Sequence, residues 1–373
     1  MRALPLSIKV FLFFLTLLLA CYPIFGEALV GAKYDFLMQK LTTVMILAIL
    51  AVSLDLLVGV TGLISLAHAA FFGIAGYTLV LIAPQYAAAN IWVVLPLSVG
   101  VAASAALIIG IMIIRTNGIF FIMATIAFSQ VLYYVFHGAP FAGGSDGIYL
   151  FSEPEVTIAG FQLLDLSSRT TQFYVALVSL LVVYFFLRTL LRAPFGRVLL
   201  GINANESRVR ALGFNPLYYK LAAFVLSGTI AGYAGVLSVA QYGFIGPGEV
   251  SWQLSAHALV MVILGGVGTF FGPILGAFAF EGIHYGFSTL TDDWELWMGI
   301  VVITMVLLLP QGIAGLIQQL AQRDDGDNIG KSRKYPPGIG VLVNWARGRG
   351  VKRPTIGVSQ SARPAADKED GHE

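Results

Sequence analysis

The stretch TQFYVALVSLLVVYFFLRTLL, residues 171–191, decides the fold class, because it is long and apolar and carries a single charged residue, Arg188. A helix needs about 20 such residues to cross the hydrocarbon core of a membrane. Runs of this kind recur along the chain at 8–26, 40–60, 63–83, 91–114, 118–137, 171–191, 219–241, 253–270, 272–290 and 296–316. The sequence therefore predicts an all-α, polytopic transmembrane helical bundle of about ten spans. The third and eighth runs contain glycines and a histidine, so eight or nine full crossings with re-entrant segments are the alternative.

The composition excludes most soluble classes of protein. Hydrophobic residues make up 57% of the 373 residues and charged residues 11%, whereas soluble domains carry about 25% charged residues. Residues 321–373 hold 17 of the 42 charged side chains, which leaves 25 for the other 320 residues. A soluble fold of that size could not be covered so sparsely. The net charge of +2 gives no support to a nucleic-acid partner, and a single cysteine, Cys21, excludes a disulfide framework.

The two ends of the chain differ in character. Arg2 and Lys9 precede an apolar run with a lipoprotein-like cleavage site at Leu18–Cys21, but the run continues to Phe25, so we expect an uncleaved first helix. The membrane domain is expected to cover 1–320. The charged tail, 321–373, is typical of a disordered cytoplasmic extension, with binding to anionic lipid as the alternative.

Loop charges predict the orientation of the spans. Residues 188–220 contain six basic side chains and one acid, Glu206, whereas residues 138–170 contain four acids and one base, Arg169. Because basic loops stay on the cytoplasmic side, the first loop is expected inside and the second outside. The same assignment places Arg115 and both termini inside, and the acidic turn at 292–295 outside.

Glycines at four-residue intervals predict close helix packing. Such spacing relates Gly228 to Gly232, Gly282 to Gly286, and Gly268, Gly272 and Gly276 to one another. The clusters Gly59–Gly62 and Gly265–Gly268 have a second interpretation. Each lies between paired apolar segments, where transporters carry helices that are interrupted beside the substrate path.

Polar side chains within the spans are the candidates for a translocation path. Asp55 is the first, since an ionisable group at membrane depth is a functional hypothesis by default. The other path candidates are Gly62, Ser65, His68, Thr125, Gln130, Gly265, Gly266 and Gly268. Thr125, Ser129 and Gln130 could equally form hydrogen bonds between helices. Buried structural roles are expected for His68 and His257, and Glu281 and His284 share a helix face and could form a structural pair.

The segment PFGRVLLGINANESRVRALGFNPLYYK, residues 194–220, joins the sixth and seventh spans. Its pattern predicts a short amphipathic, basic helix from Glu206 to Leu212, with Asn203 or Asn205 as N-cap and Gly213 as its stop. Membrane spans hold it at both ends. We interpret it as a docking helix that passes the movement of a cytoplasmic partner to the bundle, and an ordinary positive-inside loop is the alternative.

This segment resembles the coupling loop of the membrane subunits of ATP-binding-cassette importers, with Glu206 and Gly213 at about the matching places. Residues 40–316 as a whole resemble the LivM-type permeases of branched-chain amino-acid importers. The similar passages are DLLVGVTGLISLAHAAFFGIAGY (55–77), RTNGIFFIMATIAFSQVL (115–132), GGSDGI (143–148) and MVILGGVGTFFGPILGA (261–277), besides the coupling loop. The chain departs from the family pattern at Leu63 and Ile64, and the tail lies outside the resemblance.

The resemblance implies an inner-membrane permease subunit that forms a path for branched-chain amino acids. It implies as partners a paralogous LivH-type permease, two cytoplasmic ATPases that hold ATP and Mg²⁺, and a periplasmic or lipid-tethered solute-binding protein. Within the coupling loop, 192–218, it assigns ATPase coupling to Gly201, Asn203, Asn205, Glu206, Arg208, Ala211, Leu212 and Gly213. The outer loop is expected to meet the binding protein at Gly143, Gly144, Ser145, Asp146 and Gly147.

The sequence contains no motif that indicates an enzyme. The chain has no Gly-x-x-x-x-Gly-Lys-[Ser/Thr] nucleotide motif and no metal-ligand spacing of Cys, His and Asp. We therefore expect a transport subunit that binds no cofactor of its own. Permeases for urea and short amides are closely similar and are one alternative. An ion-coupled secondary transporter and an assembly subunit without a path are the others.

Overall fold

Helices make up most of the chain in the computed structural model, which describes residues 6–84, 90–152, 156–158, 161–164, 168–309 and 311–317. The helices are α1 (Leu6–Val30), α2 (Tyr34–Asp55), α3 (His68–Ile82), α4 (Ile91–Ile113), α5 (Ile119–Gly138), α6 (Arg169–Arg192), α7 (Pro194–Ala211), α8 (Pro216–Tyr242), α9 (Trp252–Gly265), α10 (Phe271–Ser288) and α11 (Trp294–Leu308). The strands β1 (Ile148–Tyr149) and β4 (Phe244–Ile245) form one antiparallel pair, and β2 (Val156–Ile158) and β3 (Phe161–Leu164) form another. The all-α class is confirmed. The tail at 321–373 lies outside the described residues.

Six described helices are long and apolar enough to cross a membrane. They are Tyr34–Thr61, Ile91–Ile113, Ile119–Gly138, Arg169–Arg192, Pro216–Tyr242 and Trp294–Ile317, and they correspond to the second, fourth, fifth, sixth, seventh and tenth predicted runs. The third and eighth runs contain only the 15 residues of α3 and the 14 of α9. Each of these two helices is about 21–23 Å long, which is shorter than a hydrocarbon core of about 30 Å.

The helices α2 and α8 form the centre of the bundle. The most apolar window of Tyr34–Thr61 is 78% buried inside the protein, against 17% for α5. α2 packs against α6, α8, α9 and α10, and α8 packs against α3 and α4. Large apolar side chains such as Ile108, Phe120 and Val182 are exposed on the outer helices, as expected for surfaces that face lipid.

Glycines permit the closest helix contacts. In α8, Gly232 lies against α4 and Gly235 against the backbone of α3, where an added Cβ would overlap the neighbouring helix. Gly276 of α10 lies against the backbone of α9 in the same way. The prediction of close packing is wrong for Gly282 and Gly286, because a Cβ at either position would meet no described atom within 4 Å.

The first interrupted span joins α2 to α3. After Asp55 the helix widens into a π-helix over Leu56–Thr61 and ends at Gly62, whose φ of 74° lies in the left-handed region. Residues 62–67 are not helical, and α3 begins at His68. The Nε2 atom of His68 lies 2.6 Å from Oγ of Ser227, which is near the middle of α8. α3 therefore starts at mid-depth in the bundle.

The second interrupted span joins α8 to α9 and runs in the opposite direction. α8 ends at Gly243, and residues 243–251 contain β4 and a 3₁₀ turn before α9 begins. The Oγ atom of Ser255 in α9 accepts a hydrogen bond of 2.8 Å from the N–H of Ala69 in α3, so the two short helices begin side by side. α3 then leads toward the end of α8, and α9 toward the end of α2. The two short helices, each with the non-helical segment before it, thus begin side by side and run in opposite directions.

Of the two predicted glycine interruptions, Gly59–Gly62 lies in the first broken span. Gly265–Gly268 instead begins the turn between α9 and α10. That turn packs back on the first broken span, since an added Cβ at Gly59 would overlap the backbone of Gly268. Both clusters thus lie at the same end of the bundle.

Candidate functional site

The place where α3 and α9 begin is here named the midplane junction and comprises residues 65–69 and 250–255. Two side chains of α5 bind the backbone that leads into these two helices. Thr125 Oγ1 accepts a hydrogen bond of 3.1 Å from the N–H of Leu66, and Ser129 Oγ donates one of 3.0 Å to the carbonyl of Val250. Backbone that leaves a helix inside a membrane must find such partners in the protein. α5 therefore joins both interrupted spans.

His68 lies at the start of α3 and is fully buried. The hydroxyl of Ser227 donates to the carbonyl of Ser53, so Nε2 of His68 must be the donor in its 2.6 Å hydrogen bond to Ser227. This arrangement assigns the neutral tautomer with hydrogen on Nε2. Within the described part of the chain, Nδ1 is buried without a hydrogen-bond partner. His68 thus ties the start of α3 to both central helices.

The path candidates fall into two groups. Ser65, His68 and Thr125 meet at the midplane junction, where Ser65 is buried and its hydroxyl accepts a hydrogen bond of 3.3 Å from Ala67 N–H. Gln130 follows Ser129 on α5, and its Oε1 is buried without a partner among the described residues. The candidates Asp55, Gly265, Gly266 and Gly268 lie together around the turn between α9 and α10, whereas Gly62 lies against Asn203 of α7.

Asp55 caps that turn from the end of α2. Its Oδ1 accepts a hydrogen bond of 2.7 Å from Gly268 N–H, and its Oδ2 accepts one of 3.3 Å from Phe270 N–H. The side chain has no exposed surface. Hydrogen bonds to an ionised carboxylate are worth about 1.5–3 kcal/mol each, so the pair firmly joins the end of α2 to the start of α10.

The segment predicted as a docking helix is the last part of α7. Asn205 breaks the helix with φ −166° and ψ 103°, and its Oδ1 accepts a hydrogen bond of 3.0 Å from Arg208 N–H. The helix ends at Ala211, and in the turn that follows Gly213 has a φ of 88° and its N–H donates a hydrogen bond of 3.0 Å to the carbonyl of Arg210. The predicted start is confirmed with Asn205 rather than Asn203 as N-cap, and the end lies one residue before the predicted Leu212. The helical residues 194–204 that precede it were not predicted.

Two contacts attach α7 to the bundle, and a third, within α7, holds its bend. Glu206 lies 2.6 Å from Nζ of Lys220 in α8 and 3.1 Å from Arg210, and Lys220 is only 6% exposed. Asn203 Nδ2 donates a hydrogen bond of 3.3 Å to the carbonyl of Gly59 in the first interrupted span. Gly201 lies against Val209, across the bend at Asn205. Movement of α7 would therefore reach both α8 and the first interruption.

A cavity of about 460 Å³ opens between α7 and the turn that joins α4 to α5. Its lining includes Arg115, Asn117, Glu206, Arg210 and Lys220, so its walls carry more positive than negative charge. Beside it, the predicted coupling residues Arg208, Ala211, Leu212 and Gly213 are exposed, Leu212 to 75%. This surface thus combines basic side chains with an exposed apolar one.

At the opposite end of α8, the loop 143–149 joins the second interrupted span. Gly143, Gly144 and Gly147 all have positive φ, and Ser145 and Asp146 lie at the exposed tip. The strand β1 that follows pairs with β4, so the loop is hydrogen bonded to the segment that leads to α9. All five predicted docking residues thus lie in one tight turn that is fixed to the second interruption.

Sequence reasoning missed Ser227, Ser255 and Lys220. The two serines are small residues in otherwise apolar spans, and only the meeting of α3 with α8 and α9 shows their roles. Lys220 looked like an ordinary basic residue at the end of a loop. The predicted pairing of Glu281 with His284 is confirmed at 3.4 Å. In the described part of the chain, no group of three or more His, Cys, Asp or Glu residues could hold a metal ion.

Known proteins similar to this chain are permease components of transport systems. The profile of the branched-chain amino acid transport system permease component family matches residues 36–309. The high-affinity branched-chain amino acid transport system permease protein LivM of Salmonella typhimurium is 29% identical over 311 residues, which cover 78% of this chain and 72% of that protein. LivM of Escherichia coli is 29% identical over 291 residues, which cover 73% of this chain and 68% of that protein.

More distant permeases share a shorter part of the chain. The autoinducer 2 import system permease protein LsrC of Photorhabdus laumondii is 34% identical over 107 residues, which cover 27% of this chain and 32% of that protein. The xylose transport system permease protein XylH of Escherichia coli is 31% identical over 123 residues. No solved structure matches the chain. The relatives are transport permease components and not enzymes.

Proposed function

Because the chain belongs to the family of permease components of branched-chain amino acid transport systems, we propose that it forms a translocation path for branched-chain amino acids in an ATP-binding-cassette importer of the bacterial inner membrane. It is a multi-pass membrane protein and a permease subunit. Both termini, α7 and the turn with Arg115 lie in the cytoplasm in this proposal. The positive-inside distribution of loop charges supports that orientation.

Ten crossings fit this orientation. Six are the long helices, and α1 and α10 add two more. Each interrupted span supplies one further crossing, because a non-helical segment extends a short helix to the full depth of the membrane. Such broken spans are tolerated where the backbone is buried in protein, as it is beside Thr125 and Ser129.

The proposed assembly contains a LivH-type permease, two cytoplasmic ATPases and a periplasmic or lipid-tethered solute-binding protein. ATP and Mg²⁺ are held by the ATPases, so this chain needs no nucleotide site and no cofactor. Its exposed surface at Arg208–Gly213 and the adjoining cavity would receive an ATPase. The turn at 143–147, on the other side of the membrane, would receive the binding protein.

One observation carries the coupling proposal. α7 is attached at once to α8, through Glu206 and Lys220, and to the first interrupted span, through Asn203 and Gly59. An ordinary connecting loop needs neither contact. A partner that displaces α7 would therefore move the two elements that meet at the midplane junction.

The midplane junction is the proposed crossing point of the path. An amino acid is a zwitterion, and its charges require polar groups at membrane depth. The N-termini of α3 and α9 both lie here. In transporters with broken helices, such N-termini point at the anionic group of the substrate. His68, Ser65, Thr125 and Gln130 lie at or beside the junction and supply polar side chains.

The alternatives receive less support. An ion-coupled transporter needs free acids at membrane depth, but Asp55 binds two backbone amides and Glu281 pairs with His284. A permease for urea or short amides shares the architecture and differs only in the ligand delivered. Uptake of labelled leucine and labelled urea by cells that express the complete importer separates these two substrates.

A charge exchange tests the coupling role. Glu206→Lys is expected to abolish leucine uptake, because it places a third positive charge beside Lys220 and Arg210. If Glu206 acts by holding α7 on α8, adding Lys220→Glu restores the pair and a substantial part of the uptake. Co-purification of the ATPase is measured for both variants.

Three outcomes are informative. Recovery in the double variant supports transmission through the Glu206–Lys220 pair. Lost ATPase binding without recovery shows instead that Glu206 contacts the ATPase directly. Normal uptake by Glu206→Lys would contradict a coupling role for α7, and Arg188→Ala, outside the contact, serves as the control for lost loop charge.

A further inference from the structure

Asp55 lies at the turn between α9 and α10, away from the midplane junction through which the path is proposed to run. The sequence makes it a path candidate, yet its side chain is fully buried and both oxygens accept hydrogen bonds from backbone N–H groups. No described lysine, arginine or histidine forms an ion pair with it. A carboxylate bound only by backbone amides fixes the conformation of that backbone.

The backbone it fixes is a strained turn. Phe270 has φ 58° and is the only described residue other than glycine with a positive φ. Gly266 and Gly268 also have positive φ, at 115° and 77°. Strained conformations persist only where neighbouring groups hold them, and they collect at elements that switch. Asp55 is one of the groups that hold this turn, since it binds the N–H of Gly268 and of Phe270.

The same turn touches the first interrupted span without any intervening side chain. An added Cβ at Gly59 would overlap both Asp55 Oδ1 and the backbone of Gly268. The carbonyl of Gly59 accepts the hydrogen bond from Asn203 of α7. A continuous line of contacts therefore leads from α7 to Gly59, and from there to Asp55 and the turn.

We propose that Asp55 is a positioning residue that latches the cytoplasmic gate of the path. The gate is formed where Gly59 of the first interrupted span meets the turn 266–270. The two hydrogen bonds of the Asp55 carboxylate keep these elements together, and displacement of α7 through Asn203 and Gly59 releases them once in each transport cycle. This inference rests on the proposed function, because it requires a partner that moves α7.

The latch has no counterpart in the second interrupted span. There the described hydrogen bonds to other elements come from neutral groups, among them the β1–β4 backbone pair and the hydroxyls of Ser129 and Ser255. A carboxylate accepts stronger hydrogen bonds than these groups do. The geometry thus points to a tight gate on the α7 side only.

The test uses the complete importer, with Cys21→Ser and Ser65→Cys introduced to give a single reporter thiol. Ser65 is fully buried beyond the proposed gate. In inside-out vesicles, a membrane-impermeant maleimide is expected to label the reporter slowly in at least one nucleotide state. Asp55→Asn should raise that labelling several-fold and raise ATP hydrolysis in the absence of binding protein, while leucine uptake falls.

Glu281→Gln is the matched control, since it removes another, partly buried acid from a neighbouring helix without touching the gate. Unchanged labelling and unchanged ATP hydrolysis in Asp55→Asn would overturn the latch, even if uptake were lost, because a substrate-contacting residue behaves in that way. Equal effects in Glu281→Gln would overturn it as well.

Hydrogen–deuterium exchange covers the case in which Asp55→Asn does not fold. In the unmodified importer, amides of 266–270 should exchange at different rates with and without a non-hydrolysable ATP analogue. Equal rates in both states would show that the turn is never released. If the unmodified importer showed no binding-protein-stimulated ATP hydrolysis, the proposed function itself would fail, which is a different result from either of these.

Discussion

The two interrupted spans share a design but differ in what holds them. The first, from Asp55 to Ile82, is bound by a carboxylate at Gly268 and Phe270 and by Asn203 of α7. The second, from Tyr242 to Gly265, is bound by the strand pair β1–β4 and by the hydroxyl of Ser129. Each interruption is thus fixed to the surface loop at its own end of the bundle. In our proposal these loops meet the ATPase and the binding protein, so each partner acts on one interruption.

The difference also shows which side needs the tighter closure. The Asp55 carboxylate and the close contact of Gly59 with Gly268 join the first interruption to the turn 266–270. The second interruption is held by neutral groups such as the β1–β4 backbone pair. A substitution that disturbs the first interruption should therefore reduce leucine uptake more than a comparable substitution in the second. Substitutions in the two spans test that order.

The largest effect is expected for Gly59→Ala. The added Cβ would overlap Asp55 Oδ1 and the backbone of Gly268, and overpacking of this kind costs about 1–3 kcal/mol. Leucine uptake should fall by about tenfold or more, since about 1.4 kcal/mol against the closed gate shifts its equilibrium about tenfold. Gly248→Ala in the second interruption is the matched control, because a Cβ there meets no described atom within 4 Å. Equal losses in the two variants would remove the asymmetry.

Gly147→Ala should have the next largest effect. Its φ of 71° disfavours alanine, and the Cβ would overlap the carbonyl of Ile245 in β4. We expect loss of ATP hydrolysis stimulated by the binding protein, with basal hydrolysis retained. Gly144→Ala carries a similar backbone penalty, but its nearest described atom is 3.6 Å away. If both variants respond alike, the link between this loop and β4 has no role in signalling.

A smaller effect on stability is expected at α5. Thr125→Val leaves the buried N–H of Leu66 without its acceptor, which costs about 1–3 kcal/mol. Ser129→Ala removes a donor to the carbonyl of Val250, and unpaired carbonyls are tolerated better than unpaired N–H groups. The thermal midpoint of the purified subunit should fall further for Thr125→Val. The reverse order would show that α5 holds the second interruption more firmly.

Asp146→Asn should produce the smallest change. Asp146 is exposed at the tip of the outer turn, where its one described side-chain contact is with Ser145. Stability should be unaffected, and the half-saturating concentration of binding protein should rise a few-fold. Ser145→Ala, which leaves the charge in place, is the control. An unchanged concentration dependence for Asp146→Asn would place the docking surface elsewhere.

Local signals in the sequence predicted local structure well. The cap at Asn205 and the stop at Gly213 bracket the docking helix because both depend on residues within one helical turn. The long apolar runs likewise predicted the long helices. The helical residues 194–204 were missed because their apolar and basic residues showed no clear boundary.

What the sequence did not reveal depends on contacts between distant residues. Asp55 binds amides more than 200 positions away, and nothing in its neighbourhood indicates a capping role rather than a path-lining one. The apolar runs that contain α3 and α9 are almost long enough to cross a membrane, so the sequence suggests longer helices than the structure has. Where each helix begins depends on hydroxyl groups of α5 and α8, which lie far away in the sequence. Ser255 and Ser227 carry no local signal at all.

In the proposed mechanism, the path crosses the membrane between the two interrupted spans. Ile64, in the non-helical segment of the first interrupted span, and Gln253, at the start of α9, are both exposed. Each is replaced by a single cysteine in the Cys21→Ser background to test where the path crosses. Labelling by impermeant maleimides from each side is compared in nucleotide-free and nucleotide-bound importer. A path between these two spans predicts reciprocal changes, with Ile64→Cys accessible from the cytoplasm in one state and Gln253→Cys from the outside in the other. Labelling that does not respond to nucleotide, or that rises and falls together at both positions, would contradict it.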